Sequence, residues 1–256
     1  MKIVVFQNFV GLGHLGAKYN TKIDNRDNLF ILSKCMKSVK NWCKKKGYEY
    51  ILNTKNLEWD YCAKRKQQLG HVDKGMDLCH QRHELLLNIN ADYIINLDND
   101  IWIYKDFELP KIENIGLCLF KGVYTESFRY PQTGVQFING TANKHYNTSV
   151  LSTIKNNDWD ENIDISNIDW RSEAIPSIWD GTNHTYKYCC QYPEKITWLD
   201  FKYNCIPHLN KWSGRYPYNY TEEEIKNSYL IHLWGSVKMH NFKKLPLNMQ
   251  EEFNNI

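Results

Sequence analysis

The sequence predicts an α/β protein built on one open, mixed but mostly parallel central sheet flanked by helices, and three observations lead there. Short apolar runs alternate with longer stretches of helical periodicity along the 256 residues, the pattern of strands joined by packing helices. One run, Tyr93 to Leu97, is apolar but for Asn96, close to what a strand covered on both faces requires. No composition shift and no Pro/Gly/Ser-rich linker divides the chain, so residues 1 to 256 are expected to form a single domain.

The first strand is read at Lys2 to Phe6. The glycines that follow, Gly11-Leu12-Gly13-His14-Leu15-Gly16, spell G-x-G-x-x-G, the fingerprint of dinucleotide sites. That fingerprint works only where a helix starts at once and offers its N–H groups to a pyrophosphate. Here "AKYNTKIDNRDN" follows, with no apolar repeat at i, i+3, i+4, and the acidic residue needed about 20 positions on would fall near Met36, inside a helix. The segment therefore reads as a loop. Periodicity resumes near Asp27, where Leu29, Leu32, Met36, Val39 and Trp42 or Cys43 share one stripe that ends at Lys44-Lys45-Lys46-Gly47, a charge and glycine pattern proper to a helix C-terminus.

Strands are next expected at 48–52 ("YEYIL"), 93–97, 115–120 ("IGLCLF"), 134–138 ("GVQFI"), 196–199 ("ITWL") and 229–233 ("YLIHL"). A helix from Asp73 turns Met76, Cys79, His83 and Leu86-Leu87 inward. Another is expected near 141–156, and a short one begins with the capping box Thr221-x-x-Glu224. Residues 53 to 72 read as irregular.

Charge is nearly balanced, with 32 Lys and Arg against 29 Asp and Glu, so no electrostatic footprint for nucleic acid is expected. No segment approaches the roughly 20 apolar residues of a membrane span. The N-terminal apolar stretch is interrupted by Gln7 and Asn8, with no small-residue cleavage site after it, and reads as a buried strand rather than a signal peptide. The 8 cysteines show no C-x-x-C spacing and fall mostly in apolar segments, which favours a reducing, cytoplasmic location. Cys79 and His83 stand at i, i+4, a spacing that can hold zinc, but no second ligand pair accompanies them. The four N-x-S/T sequons, at Asn139, Asn147, Asn183 and Asn219, are expected by chance in so asparagine-rich a chain.

Chemistry gathers at two strand ends. Asp98-Asn99-Asp100 follows the most apolar strand and precedes "IWI". Alone, a D-x-D is a polar turn; pinned between buried segments, its two carboxylates need a compensating charge. Hard oxygen ligands of this kind suit Mg²⁺ or Mn²⁺ with positions left for phosphate oxygens. At the end of the last strand stands His232-Leu233-Trp234-Gly235-Ser236-Val237-Lys238, where Gly235 allows close backbone approach and Lys238 can meet an anionic phosphate.

With D-x-D and H-x-x-G-x-x-K in these places, the sequence resembles the metal-dependent glycosyltransferases of the GT-A fold. It is most similar to the retaining, glycogenin-like and lipopolysaccharide galactosyltransferase families. The resemblance implies that Asp98, Asp100 and His232 bind a divalent ion, Mn²⁺ or Mg²⁺, and that Lys238 contacts the diphosphate of a nucleotide-sugar donor such as a UDP-sugar. It implies that Gln7, Asn8 and Phe9, after the first strand, meet base and ribose, and that Arg82 touches the donor sugar. "TGVQF" (133–137) resembles the N-A-G-V stretch that lines the sugar pocket, with Gln132 in place of its asparagine, and "WLDFKYN" (198–204) resembles a segment near the end of the fold. Asp180 stands where these families place an acidic residue facing the anomeric carbon, but Gly181 follows it where they read glutamine; Glu173 is the rival.

The implied partners are the nucleotide sugar and a glycan or other hydroxyl acceptor. Two other readings remain: a sugar-nucleotide pyrophosphorylase, which needs an arginine-bearing G-G-x-G-T-R loop not matched by residues 11 to 16, and a catalytically silent sugar-binding protein of the same fold.

Overall fold

Ile3–Asn8, the first strand (β1), lies between two parallel neighbours, Glu49–Asn53 (β2) and Tyr93–Leu97 (β3), with Val5 opposite both Tyr50 and Ile95. The computed structural model describes residues 1–9, 25–55, 57, 74–125, 128–155, 181–207, 220–233 and 238–256. The glycine-rich stretch 11–16 lies outside them.

Beyond β3 the sheet continues through Phe128–Asn139 (β6), Ile115–Thr125 (β5) and Ile196–Leu199 (β7), in the order β2-β1-β3-β6-β5-β7. Pairs β1–β2, β1–β3 and β5–β7 are parallel, whereas β6 runs antiparallel to both of its neighbours. The sheet is thus mixed and mostly parallel, as the sequence predicts.

Both faces are covered. Helix α1 (Asn25–Lys46) lays Val39, Trp42 and Cys43 on Val5, Ile95, Leu97, Val135 and Phe137. Gly47, at φ +72°, ends this helix in a conformation open to glycine, and the Tyr48 N–H closes on the Cys43 carbonyl at 2.9 Å. On the other face Phe6, Ile94, Leu117 and Ile138 pack against Leu86 of α2 (Lys74–Leu87), Tyr146, Val150 and Ile154 of α3 (Gly140–Lys155), and Tyr188 of α4 (Gly181–Gln191). Asn147, the second sequon asparagine, is fully buried and bonded to His83.

The strand expected at 229–233 is a correction to the sheet read from sequence. Leu230–His232 (β8) does not join the main sheet but pairs antiparallel with Ile101–Ile103 (β4) in a separate two-stranded ribbon. The D-N-D turn redirects the chain after β3, with the Ile101 N–H on the Asp98 carbonyl at 3.3 Å, so "IWI" leaves the sheet and needs a new partner for its backbone groups. The ribbon packs through Trp102, Ile231 and Leu233 against α5 (Glu222–Lys226), α6 (Lys238–Phe242) and α7 (Leu247–Asn254). Thr221 and Glu224 form the expected capping box at the start of α5. Helices α4, α6 and α7, of 11, 5 and 8 residues, are not among the elements expected from the sequence. No helix among the described residues is long and apolar enough to cross a membrane.

Candidate metal centre

The carboxyl ends of β1 and β3 carry the site, and backbone bonds set its shape before any side chain is considered. The Asp98 N–H donates to the Gly134 carbonyl of β6 at 2.8 Å. Gln7 Nε2 donates to the Asp98 carbonyl at 3.0 Å while its Oε1 accepts from the Tyr50 hydroxyl at 2.8 Å, and Asn99 Nδ2 donates to the Asn8 carbonyl at 2.7 Å. Asn8 Oδ1 accepts from Asn53 Nδ2 at 2.7 Å and the Phe9 N–H donates to the Asn53 carbonyl at 2.8 Å. Gln7 is fully buried, and its amide bridges the Asp98 carbonyl of the turn and the Tyr50 hydroxyl of β2. Asn8 and Phe9 stand one step further toward the sheet edge.

His232, the last residue of β8, is brought to the same place by the ribbon. Its N–H donates to the Cys205 carbonyl at 2.7 Å, and the Leu233 N–H donates to the Asp100 carbonyl at 2.9 Å. The imidazole lies against Gly134, where an added Cβ would stand 2.3 Å from His232 Cε1 and 3.1 Å from Asp98 Oδ2. Gly134→Ala is therefore expected to push the ring out of place, destabilising the fold by about 1–3 kcal/mol and lowering Mn²⁺ affinity by about 10-fold or more. Calorimetric titration of the variant checks this, and unchanged Mn²⁺ binding would count against the ring's role.

Asp98, Asp100 and His232 offer ligand atoms that all lie within 4.8 Å of one another. His232 Nε2 stands 3.2 Å from Asp100 Oδ1 and 3.9 Å from Asp98 Oδ2, and this buried nitrogen makes no hydrogen bond of good geometry among the described residues. Its Nδ1 meets Asn204 Oδ1 at 3.0 Å. Two carboxylates and an imidazole nitrogen thus converge, a donor set suited to a divalent ion. Arg82 Nη1 is 2.7 Å from Asp98 Oδ1, and the Lys238 ammonium, at the start of α6, pairs with Asp100 Oδ2. Burial alone would raise the Asp100 carboxyl pKa, but the Lys238 ammonium beside it outweighs that and holds the group well below the usual carboxylate range. Of the described side chains in this cluster, Asp98 is the most open to solvent, at 35%.

Gly235, Glu173 and Asp180 lie outside the described residues. Gln132 and Thr133 of β6 are buried beside the Gly134 contact. His83 bonds Asn147 Oδ1 at 2.8 Å, while the Cys79 side chain of the zinc alternative is outside the description. Sequence reasoning gave no role at the site to Asn204, and placed Gly134 only within a stretch resembling a sugar-pocket lining. Their signal lay in the quoted stretches 198–204 and 133–137, but only contact with one imidazole connects them.

No protein-family model matches the chain, and no curated protein matches its sequence significantly. Among solved structures, it is similar to a glycosyltransferase involved in the glycosylation of the major capsid of PBCV-1, at 14% identity over 100% of both chains with a TM-score of 0.52. It also matches the glycosyltransferase GlyE of Streptococcus pneumoniae TIGR4 (12% identity, 100% of this chain and 63% of that one, TM-score 0.45). A further match is the galactosyltransferase LgtC (13% identity, 99% and 94%, TM-score 0.47). The first likeness establishes the fold, which is of the GT-A type.

Proposed function

We propose that this chain is a metal-dependent glycosyltransferase that moves a sugar from a nucleotide-diphosphate donor, a UDP-sugar, to a hydroxyl of a glycan or other acceptor with retention at the anomeric carbon. One observation carries the reading: Asp98, Asp100 and the buried His232 Nε2 converge beside Lys238, at the carboxyl edge of an open sheet where ligands bind in such folds. The shared fold of the PBCV-1 glycosyltransferase supports it.

Asp98, Asp100 and His232 would hold a divalent ion, Mn²⁺ or Mg²⁺, which would supply Lewis-acid stabilisation of the departing diphosphate. Lys238, now paired with Asp100, would place a point charge where negative charge grows. Arg82 keeps Asp98 aimed into the site and stands beside the donor sugar. On this reading Asn8 and Phe9 approach the nucleoside, with Gln7 supporting the turn beneath them. The resemblance assigns Gly235 to the diphosphate, and Asp180 or its rival Glu173 to the anomeric carbon. The acceptor hydroxyl attacks from the face that the diphosphate leaves, and its proton passes to the leaving phosphate oxygen, so positioning does most of the work and no strong protein base is needed.

Calorimetry of UDP, GDP and their sugars with and without Mn²⁺ tests the proposal. UDP is expected to bind only with the ion present. Equal UDP affinity in EDTA overturns the metal role, and donor binding without any turnover points instead to the silent sugar-binding protein.

A further inference from the structure

We propose that Asn204 is a positioning residue that holds His232 in the tautomer with its proton on Nδ1, leaving the Nε2 lone pair to face Asp98 and Asp100. This rests on the transferase reading only for what that lone pair is for; the tautomer itself follows from the contacts.

Asn204 Oδ1 lies 3.0 Å from His232 Nδ1. A carboxamide oxygen only accepts, so the proton of this bond belongs to the imidazole. In the neutral ring Nε2 is then an acceptor, and it faces carboxylate oxygens at 3.2 Å (Asp100) and 3.9 Å (Asp98), which accept as well. Three such acceptors repel unless a cation, a metal ion or a second proton on the ring, stands among them. The opposite tautomer would let Nε2–H donate to Asp100, but it would require Asn204 to turn its amide and donate from Nδ2, and it would leave no lone pair for a metal. The orientation of one amide therefore separates a site built for a cation from a plain histidine–carboxylate pair.

The backbone keeps Asn204 in place for this task. Asn204 is fully buried and follows the 3-10 turn Phe201–Tyr203, with its N–H on the Phe201 carbonyl at 2.9 Å. The next residue, Cys205, donates to the Leu230 carbonyl at 3.0 Å and accepts from the His232 N–H at 2.7 Å. Asn204 and His232 are thus set on adjoining, cross-bonded segments, and the amide needs only its side chain to reach the ring. Histidine ligands generally owe tautomer and ring orientation to such an outer partner, and loss of that partner weakens metal binding by about 10–100-fold.

The test reads the tautomer directly, by ¹⁵N NMR of histidine-labelled, metal-free protein, and Mn²⁺ affinity separately, by calorimetry. The wild-type His232 is expected to carry its proton on Nδ1. Asn204→Leu should shift the proton toward Nε2 and weaken Mn²⁺ binding by about 10–100-fold, whereas Asn204→Asp, whose carboxylate also only accepts, should keep both. An Nε2-protonated wild type, or an Asn204→Leu protein with an unchanged tautomer, overturns the proposal. If Asn204→Leu does not fold, Asn204→Asp decides, because loss of the Nδ1 proton there overturns it equally. A wild type protonated on Nδ1 that binds no Mn²⁺ upholds the role of Asn204 and overturns the transferase reading instead.

Discussion

Asp100→Ala is expected to abolish sugar transfer and to destabilise the protein by about 3–5 kcal/mol, the range for breaking a buried ion pair from one side. On the proposed reading the functional loss follows from removing a ligand oxygen at the point where leaving-group charge develops. The stability loss follows from burial. Asp100, His232 and Lys238 are 7%, 3% and 8% exposed and Lys238 is paired with the carboxylate; removing it takes the paired anion from a buried ammonium. From the sequence alone, a turn carboxylate is expected to contribute to function and leave the fold intact. The burial of Asp100, 7% exposed and paired with Lys238, adds a stability cost to that functional one. Product release assays and urea unfolding check the two halves, and wild-type turnover in a folded Asp100→Ala protein would reduce the D-x-D to a turn.

Lys238→Ala removes the other half of the pair and separates two roles of the same side chain. With Mn²⁺ present, UDP binding should weaken by about 1.5–3 kcal/mol, the usual worth of a charged hydrogen bond, without losing its metal requirement. Without metal, the buried Asp100 carboxylate loses its main compensating charge, and unfolding should become easier by about 3–5 kcal/mol. Mn²⁺ can replace the ammonium as counter-charge, so the ion should raise Tm by more in Lys238→Ala than in the wild type. His232→Ala should instead weaken the metal dependence itself. Thermal scans with and without Mn²⁺, beside UDP titrations, distinguish these patterns; an equal Mn²⁺-induced rise in Tm for wild type and Lys238→Ala would mean that the lysine does not compensate Asp100.

Much of this architecture is written locally in the chain. Tyr93–Leu97 has the bounds that its apolar run implies, Ile196–Leu199 likewise, and the stripe through Val39 and Trp42 faces the sheet as its spacing requires. The pairing of D-x-D with H-x-x-G-x-x-K singled out four of the residues that meet at the cluster, Asp98, Asp100, His232 and Lys238. Such features depend on period, length and end signals, which act between residues close in sequence.

What the sequence by itself determined is the class of fold, the order of its main strands and the residue types that carry charge to the strand ends. The tertiary structure alone decided where those ends meet. It placed β8 on β4 instead of in the sheet, turned Gln7 inward as a support for the D-x-D, brought Arg82 onto Asp98, and set Asn204 behind the imidazole with Gly134 beneath it. The reason is physical: a strand's partner and a buried amide's orientation are chosen by matching hydrogen-bond groups and excluded volume across large sequence separations, and neither leaves a periodic trace in the chain.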